Sequence, residues 1–478
     1  MSPWTIMMGL VLLLTPIICW AFTLHAPETR TKLNKIGQLI HEQRYYLHAV
    51  GYLIIIKWKG FTDDLNEPIK VVTGHWTGFV HGLEGNIVLW IQDAFASPTL
   101  TAVLNFHYLF IYLFLIYVTT VFYGYVGERD LTDKVTMNYL LIYALAVPYY
   151  LFFNVEVTSS WIPGMEPLLY HDGLYSTFYI NNDPLDNAVP SLHIAIPFGI
   201  ILLNILHVRD QGIRMKDWIH RGYHRFVVYN TIIFAFTILY LGIHWIIDIP
   251  LGMLIGGMGA LFIHYLQPRL RNDHGGWFRG VDRQKVTRHV LVEGTVVLLM
   301  AAAFAGVTMH QADTVDERVS YRLGPGDSTH DIIQRFDYGE EVIVTVTNLD
   351  NETPVHMAMR IAESSEPAME RGYLNWDTLA AAGSGEVITL EPGATINLTF
   401  DQPKVWWILV FHVDEGAISE TVELRVLNDY GYVPMWQAVL LSLPSLWMTG
   451  FVLHRIARAR TSGRHWLESI PSHRWEEA

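Results

Sequence analysis

Apolar runs of roughly twenty residues, almost free of charge, recur along this chain, and each is long enough to cross a hydrocarbon core of about 30 Å. They span 3–23, 99–124, 136–157, 189–207, 226–246, 247–267, 289–308 and 433–453. Only helices and closed barrels satisfy their backbone polar groups inside a bilayer, so the expected fold is a polytopic α-helical membrane protein. A composition of 51% hydrophobic and 16% charged residues agrees. The stretch 226–267 is too long for one crossing, and His244, Asp248 and Pro250 mark its turning point. Residues 3–23 have no basic segment before them and no clean cleavage site after them, so they read as a retained anchor rather than a signal peptide. "YYLHAVGYLIIIK", residues 45–57, is short for a span and reads as interfacial. The number of crossings before residue 99 stays open.

Orientation follows from Lys and Arg in the short loops. Arg209, Arg214, Lys216, Arg221 and Arg225 follow one run; Arg269, Arg271, Arg279, Arg283, Lys285 and Arg288 follow another; Arg455, Arg458, Arg460 and Arg464 follow the last. Alternation makes all three places cytoplasmic together. The start of the run at 189, the turn near 244–250, the 158–188 loop and the segment 309–430 then face outward.

That segment holds 22 Asp plus Glu against 7 Lys plus Arg, about the whole of the chain's net charge of −14. So acidic a segment is a solvated domain and excludes nucleic-acid binding. Its apolar residues alternate as in half-buried strands: Val355, Met357, Met359 and Ile361 share one face, and Ile396, Leu398 and Phe400 another. Asn348–Asn351 and Pro392–Gly393 read as turns, and the whole suits an extracytoplasmic all-β sandwich. Asn351 and Asn397 head glycosylation sequons. The single cysteine, Cys19, lies in an apolar run, so the chain has neither an internal disulfide nor a cysteine-based metal site.

The chemistry concentrates in two stretches. In "AVPSLHIAIP", residues 188–197, Asn187 or Ser191 can cap a helix and Pro190 suits its first turn. The helix start would aim free N–H groups outward as an anion site, with His193 within one turn of it. In "YLGIHWIIDIPLG", residues 240–252, His244 and Asp248 are four apart and would share a face of a helical turn. A carboxylate on one ring nitrogen fixes the tautomer and frees the other nitrogen to attack. By the topology, His193 and His244 lie at the same outer level. Two histidines, a carboxylate and a helix N-terminus can carry out metal-free phosphoryl transfer, one ring attacking phosphorus and the other protonating the leaving oxygen. Taken singly, each histidine also fits an interfacial ring bonded to a backbone carbonyl. Asn187, Ser191, His107, Tyr108 and Tyr240 are the candidate substrate-binding residues around the pair.

"PSLH" followed about fifty residues on by "HxxxD" resembles the type 2 phosphatidic acid phosphatase superfamily, over roughly residues 99–267. The resemblance implies a six-helix membrane core, His244 as the nucleophile that forms a phosphohistidine, Asp248 as its orienting partner and His193 as general acid and base. It implies no cofactor and no metal. Leu192 replaces the family glycine, Thr237 and Ile238 stand where Ser-Arg is usual, and "YYLFFNVEV" occupies the place of the basic K-x6-R-P motif. These departures look more like the branch of inositol phosphorylceramide and sphingomyelin synthases, which move phospho-headgroups between lipids. The 158–188 loop has no Lys or Arg but carries Glu166, Asp172, Asp183 and Asp186. It is poorly matched to a dianionic monoester and better matched to a monoanionic diester. A divalent cation bridging those acids to phosphate is an alternative. Trp161, Tyr170, Tyr175, Phe178 and Tyr179 make the loop aromatic, as an interfacial belt or a headgroup platform.

The outer segment resembles a cupredoxin-like sandwich in "VTVTNLDNETPVHMAMRI" and "WWILVFHVDEG"; His356 and His412 echo copper ligands, but a blue-copper site needs a cysteine and the sandwich is expected metal-free. Gly252, Gly256, Gly257 and Gly259 suit close helix packing. The expected division is an anchor and interfacial segment (1–98), a catalytic membrane core (99–267), a cytoplasmic loop and helix (268–308), the acidic sandwich (309–430), and a helix with a basic tail (431–478). The expected activity is lipid phosphotransfer in the cell membrane, with the bilayer and its lipids as partners and no oligomeric state implied. A phosphatase of the same superfamily, a haem-binding redox protein using His193 and His244, and an inactive scaffold for the outer domain are the rivals.

Overall fold

The computed structural model describes residues 3–73, 75–169, 187–272, 283–311, 316–334, 341–362, 376, 387–402, 405–430 and 435–463. Thirteen helices occur among them: α1 (Pro3–Phe22), α2 (Ile36–Glu42), α3 (Tyr46–Thr73), α4 (Thr77–Glu84), α5 (Ile87–Phe95), α6 (Pro98–Tyr125), α7 (Arg129–Phe152), α8 (Thr158–Trp161), α9 (Leu192–Asp210), α10 (Arg221–Tyr240), α11 (Asp248–Asn272), α12 (Arg283–Gln311) and α13 (Met435–Thr461). Six stretches among the described residues are long and apolar enough to cross a membrane: Thr5–Phe22, Pro98–Tyr125, Arg129–Phe152, Leu192–Asp210, Asp248–Pro268 and Trp436–Arg458. That is the architecture of an integral membrane protein.

The remaining two expected spans are not among these six. Helix α10 stops at Tyr240, not residue 246, because Gly242 turns the chain at φ +78°, and it is not among the six. The 289–308 run lies within the 29-residue α12, and its apolar stretch among the fully described residues is Val290–Ala303. The 136–157 run begins earlier, at Arg129, and ends at Phe152. Its added first turns carry Asp130, Asp133 and Lys134, too polar to read as a span; Gln267 of α11 reaches both aspartates.

Residues 46–57 belong to a longer element than their apolar run suggests. They open the 28-residue α3, which packs along α7. Polar residues in its second half, Asn66 and Lys70, are buried in the bundle rather than facing water. Met7, Val11, Ile55, Val80 and Val88 join the same apolar core as α6, α9 and α10, so residues 1–98 are part of the bundle rather than an appendage to it.

Helices α9 and α11 pack closely, and glycine explains how. A Cβ on Gly252 would stand 2.7 Å from the Ser191 carbonyl oxygen, one on Gly256 would overlap the Ala195 backbone, and one on Gly259 would stand 2.5 Å from the Asn138 amide oxygen. The expected small-residue seam is present, though at Gly257 the added atom meets only side chains, the Phe198 ring at 3.4 Å and Leu202 at 3.9 Å.

The all-β region is two four-stranded antiparallel sheets. Its strands are β1 (Asp316–Leu323), β2 (Ser328–Gln334), β3 (Val342–Asn348), β4 (Val355–Ala362), β5 (Val387–Leu390), β6 (Thr395–Phe400), β7 (Trp406–His412) and β8 (Val422–Asp429). The orders are β1-β8-β3-β6 and β2-β7-β4-β5. Val344, Val346, Val355, Met357, Phe411, Leu424 and Val426 fill the space between them. The alternation holds through Met359, but Ile361 is exposed. Both expected turns form: Gly393 takes φ +73°, and its N–H donates to the Asp350 carbonyl at 2.9 Å.

Asp350 pins this corner, accepting from the Glu352 and Thr353 N–H groups at 2.8 and 2.6 Å and from the Ser419 hydroxyl at 3.0 Å. Partial desolvation opposes ionisation, but these donors outweigh it and hold the carboxyl below the ordinary aspartate range. A depressed folded-state value means that its contribution is complete above the unfolded-state value, about 3.9. It is lost as pH falls through the lower folded-state value. Asp350→Ala is expected to weaken the corner by about 1 kcal/mol at neutral pH and to remove this acid dependence. Amide-exchange protection of β3 and β6 between pH 2 and 7 would show it; identical profiles would refute it.

Candidate active site

Helix α9 runs away from its start at Leu192 and α10 returns, so the turn after Tyr240 comes back to the level of His193, the second residue of α9. The His193 and His244 ring centroids are 6.4 Å apart, and both side chains are almost fully buried. His193 is set by aromatic neighbours: the Tyr108 ring stacks on it at 3.8 Å, Tyr112 lies at 4.0 Å and Phe234 at 5.5 Å.

His244 and Asp248 do meet, though not as two positions on one helical turn. His244 lies in the irregular turn 241–247, and Asp248 is the first residue of α11. The carboxylate folds back: Asp248 Oδ2 lies 2.9 Å from His244 Nδ1 and accepts from the Trp245 N–H, also at 2.9 Å. With the proton on Nδ1, the Nε2 lone pair of His244 is available. An ionised carboxylate costs about 2.5–3.5 kcal/mol in a membrane, and hydrogen bonds to a charged group return about 1.5–3 kcal/mol each. Two such bonds therefore roughly balance the burial. Asp248 Oδ1 is buried without a hydrogen-bond partner.

The turn is held from several sides. The His244 N–H donates to the Ile238 carbonyl at 3.1 Å, the Ser159 N–H to the Gly242 carbonyl at 3.0 Å, and the Trp245 indole N–H to the Glu156 carbonyl at 2.8 Å. Gln92 of α5 ties the 158–169 segment to the end of α10, donating to the Glu166 and Tyr240 carbonyls, each at 2.9 Å, while its own oxygen accepts from the Glu166 N–H at 2.8 Å.

The helix start differs in detail from expectation. Ser191 is the N-cap by position, but its side chain makes no capping bond; its hydroxyl is buried without a partner. Pro190 precedes the cap instead of entering the first turn, and its carbonyl accepts from the Tyr150 hydroxyl at 3.3 Å. Asn187 bridges to Val155. With the Asn66 amide oriented to donate to the Tyr150 carbonyl at 2.7 Å, Asn187 Nδ2 donates to the Asn66 oxygen at 2.7 Å and Lys70 Nζ lies 2.9 Å from it.

Of the candidate substrate-binding residues, Tyr108 touches His193 directly. His107 is one step back: its Nε2 bonds the Asn230 amide oxygen at 3.0 Å and its ring lies 4.5 Å from Phe234. Tyr240 is bonded away from the histidine pair. Its hydroxyl is engaged at the start of α6, 2.8 Å from Thr101 Oγ1 and 3.2 Å from the Ser97 N–H, so it braces the bundle. Tyr112, Phe234, Asn66 and Lys70 were not legible as site residues; each sits within a helix, Lys70 in the last turn of α3, without a motif.

Glu166 and Trp161 are described, whereas Tyr170, Asp172, Tyr175, Phe178, Tyr179, Asp183 and Asp186 lie outside the described residues. Among the described residues no group of three or more His, Cys, Asp or Glu is placed to hold a metal ion. On the sandwich, His356 and His412 are paired across β4 and β7, with their Nε2 atoms 3.1 and 3.7 Å from the Asp414 carboxylate and Trp376 stacked on His412. No family model matches the chain, and no curated protein or solved structure matches it.

Proposed function

We propose that this chain is a membrane lipid phosphotransferase that carries a phospho-headgroup from a lipid donor to an alcohol acceptor through a phosphohistidine on His244. The observation that carries this reading is the buried His244–Asp248 bond facing a second buried histidine 6.4 Å away, at a helix start. The resemblance to the type 2 phosphatidic acid phosphatase superfamily in "PSLH" and "HxxxD" supports it, and the departures from that pattern favour transfer over hydrolysis.

His244 Nε2 donates its lone pair to phosphorus, and the P–O bond to the leaving alcohol breaks. His193, protonated at the outset, gives its proton to that oxygen. The phosphorylated imidazole keeps its Nδ1 proton and carries positive charge, which the Asp248 carboxylate stabilises. Neutral His193 then takes the acceptor's hydroxyl proton, the acceptor oxygen attacks phosphorus, and the P–N bond breaks. Water as acceptor turns the same cycle into a hydrolase. The distribution of basic residues over the loops supports an orientation with this end of the bundle, and the sandwich, on the outer side of the cell membrane.

Purified protein incubated with phospholipid labelled in its phosphate, with and without a polyol, is expected to give labelled product only with the acceptor. An acid-labile, base-stable label should appear on His244. His193→Ala should slow turnover about 10²–10⁴-fold, and His244→Ala should abolish the labelled enzyme. Phosphate release independent of acceptor would replace transfer with hydrolysis, and full turnover in both alanine variants would end the proposal.

A further inference from the structure

Three consecutive backbone N–H groups, those of Trp245, Ile246 and Ile247, precede α11 on the turn that carries His244. The first is taken by Asp248 itself. The other two are taken by one carboxylate from a distant segment: Glu84, the last residue of α4, whose Oε2 accepts from Ile246 N at 2.7 Å and whose Oε1 accepts from Ile247 N at 2.6 Å. Donors at a helix start have no partner within the helix. Charge-assisted bonds to a carboxylate are about twice as strong as neutral ones and, made in pairs, fix geometry as well as distance. The His81 ring, also on α4, lies 6.0 Å from the Trp245 ring, edge to face, so the two elements meet through more than one contact.

We infer that Glu84 is a positioning residue for the His244–Asp248 pair. It does not touch the reacting atoms. It clamps the backbone two and three residues beyond His244 and immediately before Asp248, and so sets where the carboxylate stands under the imidazole. The inference rests on the phosphotransfer reading for its kinetic consequence, although the clamp itself is a matter of geometry. It also gives the N-terminal segment, which carries none of the histidine motifs, a part in the reaction. Glutamine cannot take over, because its amide NH₂ would face one of the two N–H donors. Aspartate keeps the charge on a shorter arm and retains part of the clamp.

The experiment uses the full-length protein in detergent or liposomes, with Glu84→Gln and Glu84→Asp variants. One readout is independent of catalysis: the rate at which diethyl pyrocarbonate modifies each histidine, read by mass spectrometry. In Glu84→Gln, His244 is expected to react about tenfold faster, as expected when a charge-assisted hydrogen bond is lost, with His107 and His193 unchanged and Glu84→Asp intermediate. The second readout is kinetic. Displacement of the pair by about 1 Å should lower kcat about 10²-fold with little change in KM, and Glu84→Asp should recover part of it. An unchanged His244 rate in Glu84→Gln overturns the inference. So does faster reaction of all three histidines together, which marks loss of the bundle rather than of a local clamp. So does a wild-type kcat in Glu84→Gln. A selective change at His244 in a protein with no transferase or phosphatase activity upholds the clamp and removes the function proposed for it.

Discussion

Asp248→Asn is expected to lower phosphohistidine formation by on the order of 10⁴, the magnitude seen when the carboxylate of a Ser-His-Asp triad is made an amide, while leaving the melting temperature nearly unchanged. The two effects separate because they draw on different terms. Asparagine can keep its oxygen where Asp248 Oδ2 now meets His244 Nδ1 and the Trp245 N–H. It has no negative charge to set against the imidazolium formed when His244 is phosphorylated. For stability, removing the buried charge relieves about 2.5–3.5 kcal/mol. The new NH₂ would occupy the place of Oδ1, which is buried without a partner, at a cost of about 1–3 kcal/mol. Rapid-quench labelling and a thermal melt on the same preparation test both halves. If activity and melting temperature fall in step, Asp248 is structural and its role as orienting partner is wrong.

Gly256→Ala is expected to slow turnover about 10²-fold and to destabilise the bundle as well, without altering any chemical group at the site. The new methyl would overlap the Ala195 backbone, which has no flexible side chain to move aside, so α9 must shift from α11. Overpacking of this kind costs about 1–3 kcal/mol. Ala195 is two residues past His193, and on the proposed mechanism a shift of about 1 Å in the His193 ring slows turnover about 10²-fold. Gly257→Ala is the matched control, since its methyl meets only side chains, the Phe198 ring at 3.4 Å and Leu202 at 3.9 Å. The pair should differ sharply in kcat; equal behaviour would mean that the seam between α9 and α11 does not set the His193 position.

Much of this was legible because hydropathy and charge act over whole helices. Six of the eight expected spans are long apolar helices, and counting crossings was enough to bring His193 and His244 to one level. Details failed where a single residue or a tertiary contact decides. Gly242 ends α10 early and leaves His244 in a turn, so the bond to Asp248 arises from a side chain folding back onto its own helix start. The four-residue spacing was right in outcome and wrong in reason. The 45–57 stretch read as short for a span, and the helix it enters runs on to Thr73 with Asn66 and Lys70 buried against other helices. Tyr240 read as a pocket residue from its place beside the motif, and the distant Thr101 and Ser97 claim its hydroxyl. Glu84 left no trace in local sequence, because a side chain that binds only backbone imposes no pattern on its partners.

Helices α12 and α13 lie side by side and antiparallel: Glu293 approaches both Gly450 and His454, while Gly294 lies against Trp447. The chain thus leaves the bundle through one member of a pair and re-enters through its neighbour. The sandwich is an excursion between two adjoining struts, and the bundle closes on itself without it. Each has its own apolar core, one among the helices and one between the two sheets, so a change inside the sandwich leaves the packing around His193 and His244 intact.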